Sequence, residues 1–227
     1  MTNQQGETAS PPALSEQGAR RAQAQPRRTQ AERSAATRTG VCEATLDALV
    51  EVGYERISTT LIAQKANVSR GALTHQFPTR NDLMAAAFQY LVDSWGGRYP
   101  LGATFDPPQM SAEDMADALW TAIFSTPRYI AAIEMMLAAR QDNELGGRLR
   151  QINDAWIARR DCRVVEILGG SLDNDRDATF VQLMLAVLRG IAVHKSLDSS
   201  DDMALRLLRM WKQITRQIDI AGLAREQ

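Results

Sequence analysis

Residues 58–80, STTLIAQKANVSRGALTHQFPTR, constrain this chain more than any other stretch, because they punctuate two short helices with a turn too tight for most alternatives. Ser58 or Thr59 can accept a hydrogen bond from an unpaired N–H in the first turn of one helix, and Ser69 can do the same for the next. The first of these helices buries Ile62, Ala63 and Ala66 and presents Thr60, Gln64 and Lys65. Asn67 then stands where the backbone must turn left-handed, a conformation that its short polar side chain tolerates better than most. Val68 returns the chain to the core. The second helix ends at Phe77-Pro78, and Leu73 and Phe77 form its buried i, i+4 pair.

That pairing turns Arg70, Ala72, Thr74, His75 and Gln76 mostly outward, with Gly71 and Ala72 small enough to let the backbone approach a flat surface. A helix entering the major groove of DNA needs such a face: few bulky obstacles, one fork-shaped donor and several short donors for phosphates. His75, flanked by polar residues, fits a nucleic-acid contact better than a buried structural role. His194, near the end of a later helix, reads instead as a group that faces solvent or stabilises the negative helix terminus.

On either side the pattern is helical throughout. Val41, Ala44, Thr45, Ala48, Leu49 and Val52 recur at helical spacing, so a helix is predicted from about Thr29 to Val52, with Gly40 marking a bend or start. Gly53 sits where a left-handed residue would end that helix, and Tyr54 follows as an apolar plug with a polar tip. Thr79 caps a fourth helix carrying Asp82, Leu83, Ala86, Ala87, Tyr90 and Leu91 to about Trp95. Residues 96–108, rich in Gly and Pro, form the clearest break. Beyond it, Ser111 with Asp114, Thr126 with Pro127, Asn143, Asp173 or Asn174, and Ser200 open five further helices. Leu183 and Leu207 fall on the apolar stripes of the last two, as does Ile214. These helices either complete an intrachain core or pair with their copies across a two-fold axis as a four-helix bundle.

Apolar residues make up 44% and aromatics 6% of the 227 residues, and their helical spacing favours an all-α protein. The formal net charge of −1 is uninformative, whereas its distribution is not: from Arg20 to Arg38, Arg20, Arg21, Arg27, Arg28, Arg33 and Arg38 face only Glu32. Residues 1–28 hold almost no large apolar side chain, so a disordered basic arm is expected there, either inert or following the DNA backbone. Cys42 and Cys162 have no metal-ligand spacing and read as buried thiols in a reducing cytosol. No apolar signal-peptide core and no apolar run of about 20 residues is evident, so a soluble cytoplasmic protein without a membrane partner is expected. No catalytic set, phosphate-cradling glycine loop or metal cluster emerges, and neither an enzyme nor a cofactor is expected. Trp120, Phe124, Met135, Met136, Trp156, Phe180 and Met184 either line an adaptable apolar cavity or are plain core.

The stretches AERSAATRTGVCEATLDALVEVGY, ISTTLIAQKANVS and RGALTHQFPTRNDL resemble the DNA-binding domain of the TetR family of bacterial transcriptional repressors. Two departures accompany the match: Asn67 stands where the family usually has Gly, and Thr74 where a phosphate-contacting Tyr is common. The resemblance implies a three-helix helix-turn-helix DNA-binding domain over residues 29–80, a linking helix over 79–95, and a helical effector-binding and dimerisation domain over 96–227. It implies that Thr59, Thr60 and Ser69 meet DNA at the helix starts and that Arg70 reads a base. Ala72 would touch a thymine methyl, Thr74, His75 and Gln76 would straddle bases and phosphate, and Arg80 would grip the backbone. The implied partners are a double-stranded operator, a small apolar or amphipathic effector, and a second copy joined through the two C-terminal helices. Two other readings remain: an effector-independent DNA-binding protein, and a helical ligand-binding module whose helix-turn-helix is structural only.

Overall fold

Side-chain caps account for where most of the helices begin. In the computed structural model, which describes residues 29–106, 109–198, 200 and 202–216, every regular element is helical. The nine α-helices among the described residues are α1 Gln30–Arg56, α2 Thr59–Lys65, α3 Arg70–Gln76, α4 Arg80–Gly96, α5 Ala112–Leu119, α6 Pro127–Ala138, α7 Asn143–Ile167, α8 Asp175–Leu197 and α9 Asp202–Thr215. Thr29, Ser58, Ser69, Thr79, Ser111, Asp142 and Asn174 each accept a hydrogen bond from the first turn of the helix they precede. Thr29 with Glu32, and Thr79 with Asp82, complete reciprocal capping boxes. Thr126 is an exception. It precedes Pro127 as expected, but its hydroxyl donates backwards to the Ile123 carbonyl and caps nothing. The expected basic arm at 1–28, and Ile218, which continues the apolar spacing of the last helix, lie outside the described residues.

α1 runs unbroken past Gly40, so the bend expected there is absent. Gly53 interrupts it at φ 73° and ψ 169°, and one more turn follows to Arg56. This is not the left-handed helical conformation expected of a C-terminal glycine. It combines positive φ with extended ψ, a region open essentially to Gly alone. Glu134 of α6 lies opposite, its Oε2 3.4 Å from where a Cβ would stand. Gly53→Ala is therefore expected to destabilise the fold by about 1–3 kcal/mol, read as a lowered midpoint in urea unfolding. Asn67, at φ 52°, takes the left-handed turn that the spacing demands.

α1 packs against α4 and α6, and α4 against α7, so the N-terminal helices α1 to α4 and the later helices share one continuous core. α5 widens into a π-type turn at Trp120–Phe124 before α6. Gly146 in α7 lets the helix approach the Ala139 carbonyl, where a Cβ would lie 2.5 Å from the oxygen. The glycine that weakens a helix by propensity here permits its packing.

Two sequence expectations change. Cys42 is buried, and burial pushes its thiol up to about 11, but Cys162 is exposed. α8 is long and apolar enough to span a membrane by length and composition. It was overlooked because Asp177, Arg189 and Lys195 interrupt the run, and its apolar sides pack on α6, α7 and α9. Leu183, Leu207 and Ile214, on the apolar stripes left open between an intrachain core and a two-fold partner, are 51%, 37% and 53% exposed in one chain.

Candidate nucleic-acid interface

α2 and α3 are each only seven residues long, too short to stand alone, and hold their angle through Ile62, Ala63, Leu73 and Phe77, all buried in the common core. Their outward sides and the start of α4 enclose a depression of about 180 Å³ lined by Thr59, Arg70, Thr74, Thr79 and Arg80 over a floor of Leu73, Phe77 and Leu83. Two guanidiniums and three hydroxyls thus converge on one concavity, beside the N-termini of α2 and α4. Such a donor-rich hollow suits a phosphate group.

The expected contact residues divide by what already holds them. Thr60, Ala72 and His75 are exposed, and so is Arg70, whose guanidinium has no partner within the described residues. Ser69 accepts from the Ala72 N–H at 3.1 Å as the cap of α3 and retains its own proton. Thr74 donates to the Arg70 carbonyl at 2.9 Å, so it must rotate to give that proton to a phosphate. Gln76 is half-buried and donates to Ser34 Oγ at 2.8 Å, tying the end of α3 to α1. Arg80 donates through Nη1 to Tyr54 Oη at 2.8 Å and through Nη2 to the Tyr54 carbonyl at 3.1 Å, with its guanidinium 4.4 Å over the ring. It is pre-positioned by the end of α1.

Two residues escaped the sequence reading here. Arg38 stacks over Phe77 at 4.5 Å and reaches the Gln76 carbonyl at 3.4 Å, and Tyr54 orients Arg80. Their signal was only a basic and an aromatic side chain on α1, and both pairings join residues distant in sequence.

The reader is tied to the later helices by polar contacts. Asp82 receives Arg148 of α7 at 2.9 Å, Asn81 donates to Asp142 at 3.0 Å, and Arg128 of α6 donates to Asp47 at 2.6 Å. Glu134 of α6 accepts the Tyr54 N–H at 3.3 Å. Hydrogen bonds from Thr79 and then Arg148 hold the Asp82 carboxyl below its ordinary range, and the Leu145 N–H and then Asn81 do the same for Asp142. Both carboxyls are lowered on folding, so their contribution is complete above the unfolded value of about 3.9 and is lost as pH falls through the lowered ones. The thermal midpoint is expected to hold from neutrality to about pH 5 as far as these groups decide it, and to drop below about pH 4. Asp82→Asn should flatten part of that acid limb.

The seven aromatic and methionine candidates separate. Trp120, Phe124, Met135, Trp156, Phe180 and Met184 are all buried, while Met136 is half-buried. Trp156 and Phe124 belong to one array through Trp95 and Tyr129, with centroid distances of 6.2, 5.9 and 4.7 Å along the chain of rings. Phe180 instead stacks on Trp211 at 6.5 Å. Trp95 and Tyr129 were missed because they sit on α4 and at the start of α6, outside the runs that drew notice. Tyr129 also accepts from Arg189 at 3.2 Å. Two spaces open where the reader meets the later helices: a cleft of about 550 Å³ among α1, α4 and α7, and a cavity of about 280 Å³ among α1, α6 and α8 that Phe124 reaches. Among the described residues no group of His, Cys, Asp and Glu side chains could hold a metal ion.

A family profile described as "Bacterial regulatory proteins, tetR family" matches residues 41–87, which span most of α1 through the middle of α4. The chain is 26% identical over 197 residues to the HTH-type transcriptional regulator CymR of Pseudomonas putida, covering 84% of this chain and 95% of that one. A TetR transcription regulator from Haloarcula marismortui shares the fold with a TM-score of 0.63 at 18% identity, covering 81% of this chain and 98% of that one. The multidrug binding protein EbrR, solved in complex with proflavin, shares it with a TM-score of 0.52 at 20% identity over 78% and 98% of the two chains. With a helix-turn-helix at its N-terminus and a helical region behind it, the chain carries the DNA-binding domain of the TetR family of helix-turn-helix transcriptional regulators, a family whose members are not enzymes.

Proposed function

We propose that the protein is a dimeric, ligand-responsive repressor, acting in the cytoplasm, whose two α3 helices enter successive major grooves of a pseudo-palindromic operator. The observation that carries this reading is the convergence of Thr59, Arg70, Thr74 and Arg80 on one donor-lined depression at the edge of α3. In this arrangement Thr59, Thr60, Ser69, Thr74 and Arg80 grip phosphates, Arg70 bonds the acceptor edge of a guanine, and Ala72 and His75 face neighbouring bases. Gln76 acts chiefly through Ser34 and Arg38, by fixing the end of α3.

Dimerisation is supported by the apolar side chains that one chain leaves uncovered. Met203, Leu207, Met210 and Ile214 follow one another along α9 at spacings of four, three and four, and are 36%, 37%, 57% and 53% exposed. Leu183, Gly190 and Leu197 repeat every seven residues along α8, and a Cβ at Gly190 would meet nothing within 4 Å. A second copy covering both stripes forms a four-helix bundle with the two-fold symmetry that a palindromic site requires. Effector control is supported by the binding of proflavin to EbrR and by the direct contacts from α6 and α7 to the reader. An effector that favours a different separation of the two α3 helices lowers operator affinity by linkage.

Fluorescence anisotropy on a labelled operator fragment tests this reading. Two protomers per fragment and a steep loss of affinity with added salt are expected, since each phosphate contact releases condensed counterions. Saturation by one protomer, or affinity indifferent to sequence, would contradict it.

A further inference from the structure

The geometry points to the cavity of about 280 Å³ among α1, α6 and α8 as the regulatory site, and to a small amphipathic amine as the ligand class it accepts. This rests on the reading of the chain as a ligand-responsive regulator and names where, and by what chemistry, the response begins. The cavity is walled by Leu49 and Val50 of α1, Ile130 and Ala131 of α6, and Ala192 of α8, an apolar surface drawn from three helices. Its volume lies just below the usual small-ligand range of about 300–1,000 Å³, so a compact one-ring molecule fits better than a drug-sized one. The cleft of about 550 Å³ is larger, but its charged lining is already satisfied within the protein, Asp82 by Arg148 and Arg38 by the Gln76 carbonyl.

The sign of the head group follows from the two charged residues in the wall. Glu134 spends one oxygen on the Tyr54 N–H, through Oε2, and its Oε1 has no partner within the described residues. Lys195 already has an interaction of its own. An ammonium therefore finds an open acceptor at Glu134, with its apolar body against Val50 and Ile130. That carboxylate also supports the Gly53-Tyr54 interruption in the last turns of α1, just ahead of α2. Drawing it toward a ligand weakens its hold on the Tyr54 N–H and frees the turn that sets α2 and α3, so occupancy lowers operator affinity. The site shares only Phe124 with the seven side chains expected to line a pocket.

The test uses the full chain with 4-phenylbutylamine, and 4-phenylbutyrate as the matched anion. The amine is expected to raise the thermal midpoint, shift the Tyr54 amide resonance and release a labelled operator fragment, with the anion binding at least about tenfold more weakly. Val50→Trp fills the mouth from a partly exposed position and should abolish all three effects, and Glu134→Gln should weaken the amine about tenfold. Equal binding of anion and amine overturns the ligand class. Release of the operator from Val50→Trp as readily as from the wild type overturns this site while leaving a ligand-responsive regulator intact. Binding that Val50→Trp blocks, without any change in operator affinity, overturns the regulatory link while leaving the cavity.

Discussion

Arg70→Ala is expected to weaken specific operator binding by about 1–3 kcal/mol and to blur the preference at one operator position. The guanidinium is exposed at the first turn of α3, and no partner within the described residues restrains it. Its loss should leave the fold unchanged, because the side chain adds nothing to the core formed by Leu73 and Phe77. Arg80→Ala is the control. That side chain is stacked on Tyr54 and hydrogen-bonded to it, so its removal should weaken all sequences alike and reduce the salt dependence by about one counterion. Anisotropy titrations on the operator and on single-base variants separate the two patterns. Full retention of specificity by Arg70→Ala would move base reading to Ala72 and His75.

Met210→Glu should have a larger effect on assembly than any single change at the reader. Met210 is 57% exposed in one chain and central to the uncovered stripe of α9. In a four-helix bundle it becomes buried, and an uncompensated buried charge costs about 3–5 kcal/mol. Sedimentation equilibrium is expected to show a monomer that retains its helical circular dichroism. Operator binding should collapse with the dimer, since two linked readers gain affinity from each other that one cannot supply. A variant that remains dimeric would place the interface elsewhere on the surface.

Local chemistry made the reader legible in the sequence. Ser58, Ser69 and Thr79 cap helices at the expected positions, Asn67 turns left-handed, and Leu73 and Phe77 fill the core. Each of these features depends on residues within a few positions of one another. What was not legible depends on distant pairings. Nothing near Arg80 announces that Tyr54 holds it, and nothing near Gly53 shows that Glu134 lies opposite. Helical periodicity also identifies an apolar stripe without saying what covers it. Leu183, Leu207 and Ile214 therefore read as stripe residues that either this chain or a second copy covers, and one chain leaves them exposed. The aromatic candidates show the same gap, since Trp156 and Phe124 join only through Trp95 and Tyr129 on other helices.

Selection of bound fragments from random double-stranded DNA by the full chain tests sequence reading, symmetry and spacing together. Enriched fragments are expected to carry an inverted repeat whose half-site centres lie about one helical turn, ~10 base pairs, or a multiple of it apart. Each half-site should contain a guanine whose replacement mimics Arg70→Ala. Fragments without inverted symmetry, or no enrichment over random sequence, would contradict a dimer that reads its operator through α3.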